Sequence, residues 1–267
     1  MSNKKIVIIG LGEIGSATLI DMLKIPKEKK LNFQFSGADI NDSTLENIKK
    51  TCPGVSCSKS IPLSDIYIIL VYTTEQVECV INSIDKSKHP LIIIESTIFP
   101  KTVDRLKKLW ENKKDFDLAL FPHRFNPNDS VHRVFNLNRI VGAIDKKSLD
   151  RTLNLYYNFM PKELITEVSF EIAALSKVVE NSYRFIEIAI AEDFKMECDR
   201  LAIDFNELRK SVNSKWNIDL KEARDGIGGK CLPKDVALLN DFFNENKIIK
   251  TAIKRDEEYK EKIKELK

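Results

Sequence analysis

Apolar and polar positions follow two different periods along this chain. Near the start, Ile6 to Ile9 form a short unbroken apolar run, the pattern of a parallel strand covered on both faces. A glycine turn follows, and "EIGSATLIDML" then takes up helical spacing. Five further runs, "FQFSGADI", "DIYIILVY", "PLIIIEST", "LALFPH" and "RIVGAI", read as strands joined by amphipathic or polar connections. Strands alternating with helices predict an α/β fold, a doubly wound parallel sheet of Rossmann type, over residues 1–150. From Leu149 to Asn217 the strand signal fades. Between Phe170 and Arg200 apolar residues recur at helical spacing, which predicts one long helix. Residues 151–267 are therefore expected to form a smaller all-helical domain around that central helix. Its apolar residues outnumber what one face of a surface helix carries, which predicts a homodimer built on it.

Composition narrows the classes. The chain has 267 residues, enough for one large domain or two ordinary ones, with 43% hydrophobic and 31% charged positions. Its net charge of +3 comes from 43 basic and 40 acidic side chains, a balance that argues against a nucleic-acid partner. The lysine-rich stretches "PKEKK" and "KRDEEYKEKIKELK" read as solvated surface. No apolar run approaches the roughly 20 residues of a membrane span. A strand begins within the first few residues, so no signal peptide is expected and the setting is read as cytoplasmic. Cys52, Cys57, Cys79, Cys198 and Cys231 are scattered and odd in number, which fits a reducing compartment better than a disulfide framework. Cys52 and Cys57 lack the second ligand pair that a zinc site needs, so no metal is expected.

The first glycine turn carries chemistry. "GLGEIG" sets Gly10, Gly12 and Gly15 in the G-x-G-x-x-G spacing, directly after a strand and opening a helix. The first glycine allows a tight turn, the second lets a pyrophosphate approach the backbone, and the third lets helix and strand pack closely. Backbone amides and the positive end of the helix then face the phosphates. Asp39, ending the second strand, is placed to accept from ribose hydroxyls and to repel a 2′-phosphate. Cofactor contacts are expected at Gly10, Gly12, Glu13, Ile14 and Gly15, at Asp39, and at Thr73. Glu95, Ser96 and Thr97 join them at the carboxyl edge of the sheet. Far along the chain, "DGIGGKCLPKD" leads paired glycines into Cys231. The residues alone leave spacer, metal ligand, redox thiol and nucleophile open. Lys177 and Asn181, four apart on the long helix, project from one face.

Several segments, in order, resemble one family: "GLGEIG", "ESTIFPKT", "PHRFNPND" with "NRIVGAID", "KVVENSYRFIEIAIAEDF" and "GIGGKCLPKD". From residue 4 to about residue 253 the chain is similar to the NAD-dependent nucleotide-sugar dehydrogenases, which oxidise UDP-sugars to uronic acids. Within them it looks most like the branch acting on UDP-N-acetylmannosamine and similar amino sugars. The resemblance implies NAD as cofactor, a nucleotide sugar as substrate, and two successive hydride transfers. It makes Cys231 the nucleophile that holds the aldehyde as a thiohemiacetal, which is oxidised to a thioester and hydrolysed. It places Lys177 and Asn181 beside the oxyanion and water, Asp235 with that lysine and water, and Thr97 near the water; Lys234 has a phosphate or sugar contact as its alternative role.

Two departures from the family stand out. Its "PER" or "PEF" glutamate is His123 here, in "PHRF"; a neutral imidazole is still a base near neutral pH. Family members also carry a second Rossmann-like domain for the UDP moiety, and this sequence ends where that domain would begin. The resemblance then implies a smaller substrate, a partner chain supplying the UDP-binding domain, or loss of turnover. Two other functions stay in view: a single-step β-hydroxyacid dehydrogenase, which would not need Cys231, and a non-catalytic NAD-binding subunit.

Overall fold

A computed structural model of the chain describes residues 4–24, 33–127, 129 and 131–266. The apolar runs become strands where expected: β1 (Lys4–Ile9), β2 (Phe33–Ala38), β4 (Ile66–Ile69), β5 (Leu91–Ile94), β6 (Asp117–Leu120) and β7 (Arg139–Ala143), with the short β3 (Ser56–Ser58) added. Between them run the helices α1 (Glu13–Leu23), α2 (Asp42–Thr51), α3 (Thr74–Ser83), α4 (Val103–Lys113) and, after β7, α5 (Lys146–Tyr156). The strand order is β3-β2-β1-β4-β5-β6-β7-β8, where β8 is Ile165–Ser169. Strands β1 to β6 are parallel. The order reverses at β1, which has β2 on one side and β4 on the other, and a crevice opens at such a switch point.

Alternate residues of each strand supply two cores. Val7, Ile9, Tyr67, Ile69, Ile92 and Ile94 face one way, against Val77 and Ile81 of α3 and Leu106 of α4. Ile6, Ile8, Ile66, Ile68, Leu91 and Ile93 face the other, against Leu19 and Met22 of α1 and Leu45 and Ile48 of α2. The helices start on local signals. Asn41 caps α2 by accepting from the Ser43 and Thr44 amides, and Thr73 forms a capping box with Gln76 at α3.

The sheet departs from expectation at its far edge. β7 runs antiparallel to β6, because its connection carries no helix among the described residues and the chain turns back instead of crossing over. β8 then pairs in parallel with β7, inside a stretch that shows little strand signal. Its sequence "ITEVS" is short, polar at three of five positions and exposed at those three, as suits an edge strand. The boundary expected at residue 150 therefore falls inside α5 and before the last strand. The chain divides instead into two compact units, residues 1–177 and residues 178–267.

The long helix α6 spans Phe170–Arg200, as the periodicity predicts, and runs through that division. The second unit continues with α7 (Phe205–Val212), α8 (Cys231–Phe242) and α9 (Lys247–Leu266), and has no strand among its described residues. Ala191, Cys198, Phe205 and Leu220 form a small core there. The "KRDEEYKEKIKELK" stretch is not simply solvated, since Asp256 and Tyr259 are buried. "PKEKK" lies outside the described residues. No described helix is long and apolar enough to cross a membrane.

The burial contrast between two isoleucines is measurable. Ile93→Ala, fully buried in β5, should cost about 2–5 kcal/mol. Ile40→Ala, 83% exposed after β2, should stay within about 0.5 kcal/mol of the parent. Urea unfolding of both variants checks the assignment of the core.

Candidate active site

The glycine loop closes against the neighbouring strand. Gly10 has φ +87°, and a Cβ there would lie 2.3 Å from the Leu70 carbonyl oxygen at the end of β4. A Cβ on Gly15 would lie 1.9 Å from the Gly10 carbonyl oxygen. By contrast, a Cβ on Gly12 would meet nothing within 4 Å. So two glycines are demanded by the turn itself, and the middle one borders open space, where a ligand approaches the backbone. No side chain caps α1 at Gly12, so the first-turn amides, including those of Glu13 and Ile14, are available to an anion. Asp39 accepts from the Leu11 amide at 2.6 Å and the Asn41 amide at 2.8 Å. That fixes its carboxylate at the end of β2 and leaves lone pairs for a ribose.

The other expected cofactor residues are more committed. The Ser96 hydroxyl accepts from the Val71 amide and donates to the Ile69 carbonyl, tying β4 to β5. Thr73 caps α3. Thr97 is half-buried beside them. Glu95 is almost fully buried, its Oε1 accepting from the Tyr156 hydroxyl and paired with Arg139 at 2.9 Å. Arg139 has no exposed surface, lies over the Phe121 ring at 3.8 Å and donates to the Phe121 carbonyl. Burial and the Glu95 charge push the Tyr156 phenol well above its usual range. Arg139, Tyr156 and Thr18 are absent from the expected site. A charged residue opening the apolar run "RIVGAI" is their one signal in the sequence, since such a charge must find a buried partner.

His123 belongs to this network. It is 8% exposed, with Nε2 at 3.3 Å from Thr18 Oγ1 and 3.6 Å from Glu95 Oε2. Its Nδ1 accepts from the Phe125 amide, so the proton of the neutral ring sits on Nε2. Burial first, then the charges of Arg139 and Lys177, hold its pKa well below 6.5. The ring is therefore a neutral, hydrogen-bonded strut of the first unit at neutral pH. Lys177, half-buried on α6, acts on it through its charge.

The second unit gathers the remaining candidates. Asn181 on α6 donates to Asp235 at 2.6 Å, and both are buried. The Ser182 hydroxyl reaches the Asp235 carbonyl at 3.3 Å. Cys231 is the first residue of α8 and is exposed; Asp235 lies one turn further along the same helix. Gly228 and Gly229, just before the cysteine, border open space. A cavity of about 390 Å³ opens beside them, walled by Arg184, Lys221, Arg224, Gly228 and Leu232.

Comparison with known proteins gives the two units their class, an NAD binding domain followed by a family-specific central domain. Residues 55–160 match the NAD binding domain of the UDP-glucose/GDP-mannose dehydrogenase family, and residues 171–260 match that family's central domain. The chain belongs to the UDP-glucose/GDP-mannose dehydrogenase family. The UDP-N-acetyl-D-mannosamine dehydrogenase of Methanococcus maripaludis is 28% identical over 286 residues, covering 93% of this chain. The chain spans 64% of that relative's length. The structure of the UDP-D-ManNAc dehydrogenase from Pyrococcus horikoshii superposes with TM-score 0.83 at 24% identity, over 96% of this chain and 68% of that one. That of Cap5O, a UDP-N-acetyl-mannosamine dehydrogenase from Staphylococcus aureus, does so with TM-score 0.81 at 26% identity and the same two coverages. The cofactor is NAD, and the open backbone at Gly12 and the carboxylate of Asp39 fit it.

The buried imidazole links to stability. Below pH 6.5 the unfolded chain takes up a proton at this histidine that the folded chain refuses, so stability falls as pH drops through that value. His123→Gln should flatten this acid-side slope, read from urea midpoints at about pH 7.5 and about pH 5; His89 and His132 stay in place as the background.

Proposed function

We propose that this chain carries out the NAD-dependent oxidation of the primary alcohol of a nucleotide sugar to a uronic acid, with a UDP-N-acetylhexosamine as the favoured substrate class. The observation that carries the reading is the setting of Cys231: an exposed thiol on the first turn of a helix, preceded by two unobstructed glycines and followed one turn later by the buried Asn181–Asp235 pair. A thiol there is open to attack a carbonyl, and backbone without side chains leaves room for a sugar. NAD, when bound, supplies the hydride acceptor, one molecule for each of two oxidations.

The chain's own residues do the rest. The Cys231 sulfur bonds to the aldehyde carbon while the carbonyl oxygen takes a proton, giving a thiohemiacetal. Loss of hydride from that carbon and of the hydroxyl proton leaves a thioester. Water then displaces the thiolate, releasing the acid and restoring Cys231. Lys177 stabilises the developing negative oxygen, and Asn181 and Asp235 orient the water. His123, depressed in pKa and bonded through both nitrogens, serves as an orienting group rather than a base. A second copy of the chain is the proposed partner of the exposed Tyr183, Ile190 and Phe194 on α6. Five unbridged cysteines suit a reducing cytoplasm.

Wild-type protein supplied with a UDP-N-acetylhexosamine should form two NADH per substrate consumed. Cys231→Ala should bring that ratio towards one or none, with aldehyde in place of acid by mass spectrometry and NAD affinity unchanged. Acid production by Cys231→Ala at the parent rate would instead favour a single-step dehydrogenase. NAD should bind more tightly than NADP by calorimetry, and Asp39→Asn should narrow the gap; tighter NADP binding would remove Asp39 from its role.

A further inference from the structure

The loop that delivers Cys231 is held from one side by a single helix. Asp256 Oδ1 accepts from the Ile227 amide at 2.7 Å, and Lys260 Nζ donates to the Ile227 carbonyl at 2.8 Å. The two side chains are also joined to each other, Nζ to Asp256 Oδ2, at 2.7 Å. Both polar groups of residue 227 are therefore satisfied by one ion pair on α9. The Tyr259 hydroxyl adds a bond to the Arg224 carbonyl at 2.8 Å, just upstream. Gly226 has φ +90°, and a Cβ there would lie 2.4 Å from Lys260 Cγ, so the lysine stem packs directly on the loop backbone. Ile227 and Asp256 are almost fully buried.

Behind the ion pair lies an unusual carboxyl. Glu192 of α6 has no exposed surface, and neither of its oxygens accepts a hydrogen bond among the described residues. Burial, and then the charge of Asp256, push its pKa up to about 8, against the opposing pull of Lys260. The groups whose charges meet here are Asp256, Lys260 and Tyr259 on α9; the Tyr259 phenol is itself pushed up to about 12 by burial, Glu192, Asp199 and Asp225.

We propose that Asp256 and Lys260 are positioning residues for Cys231: by holding both polar groups of Ile227, they set the path of the glycine loop from which α8 presents the thiol. This rests on the reading of Cys231 as the nucleophile. Glu192 is the part that can release the hold. Protonated, it leaves Lys260 to Asp256 and Ile227; ionised, it sets a second carboxylate beside Asp256 and competes for the same ammonium. The stretch read from sequence as a solvated charged face thus contains the fastening of the site.

The test uses the full chain with Lys260→Met, Lys260→Arg and Glu192→Gln. Cys231 alkylation by iodoacetamide is measured relative to the exposed Cys79, and exchange protection of the peptide containing Ile227 is followed across pH. Lys260→Met should shift the alkylation ratio and lower the protection several-fold in protein that remains folded; Lys260→Arg should restore both. Wild-type protection, corrected for intrinsic exchange, should fall as pH rises through about 8, while Glu192→Gln should hold it level. In turnover, Lys260→Met should release aldehyde with little change in KM. An unchanged alkylation ratio in folded Lys260→Met would overturn the proposal. If that variant does not fold, the pH arm decides: equal profiles for wild type and Glu192→Gln would overturn it. Wild type that makes no acid, with both structural arms as expected, would instead remove the nucleophile reading and leave the clamp standing.

Discussion

The Leu70 carbonyl oxygen stands where a side chain on residue 10 would have to go. That follows from the strand order, because β1 and β4 are neighbours at the point where the sheet reverses. The loop leaving β1 must bend at once to avoid the end of β4, and only a residue tolerating positive φ makes that bend without strain. Once bent, it sends α1 back over the sheet, where Gly15 touches the loop it came from. The first-turn amides are left facing outward, and Asp39 anchors the Leu11 amide from the adjacent strand. The cofactor cradle is thus a consequence of strand adjacency.

The second requirement is electrostatic. Arg139 is brought into the interior by β7, which runs backwards beside β6. A guanidinium with no exposure is tolerable only when opposed by a charge and by polarisable or accepting neighbours. Glu95, the Phe121 carbonyl and the Phe121 ring provide these. Tyr156 and His123 then fill the remaining space around the carboxylate, and His123 reaches Thr18 on α1. The helix of the cradle and the ends of β5, β6 and β7 are in this way joined by one set of polar contacts.

Much of this could be read before any coordinate, for physical reasons. A strand buried on both faces has no exposed position to confuse it, and β4, β5 and the Ile6–Ile9 run of β1 are of that kind. The glycine spacing maps onto sterics, and the 31 residues of α6 repeat their period often enough to define both ends. Asn181 and Asp235, separated in sequence by 54 positions, do meet. What escaped depends on partners distant in the chain. β8 is an edge strand whose mostly polar residues resemble a loop, and the direction of β7 depends on the path of the connection before it. The interior place of Arg139 and of Asp256 cannot be read from residue type, because both look like ordinary surface charges until the element opposite is known. His123 shows the same limit from the other side: its identity was plain, but its depth, and hence its neutrality, was not.

The pairing of Arg139 with Glu95 also bears on how such a chain can change over generations. Removing the carboxylate strands a cation in a dry interior; removing the cation strands the anion, with Tyr156 and His123 gathered around it. Every single-step route away from the pair crosses a form that folds poorly, while a joint replacement by apolar residues of similar size need not. Inheritance should therefore treat the two positions as one character, kept together or lost together.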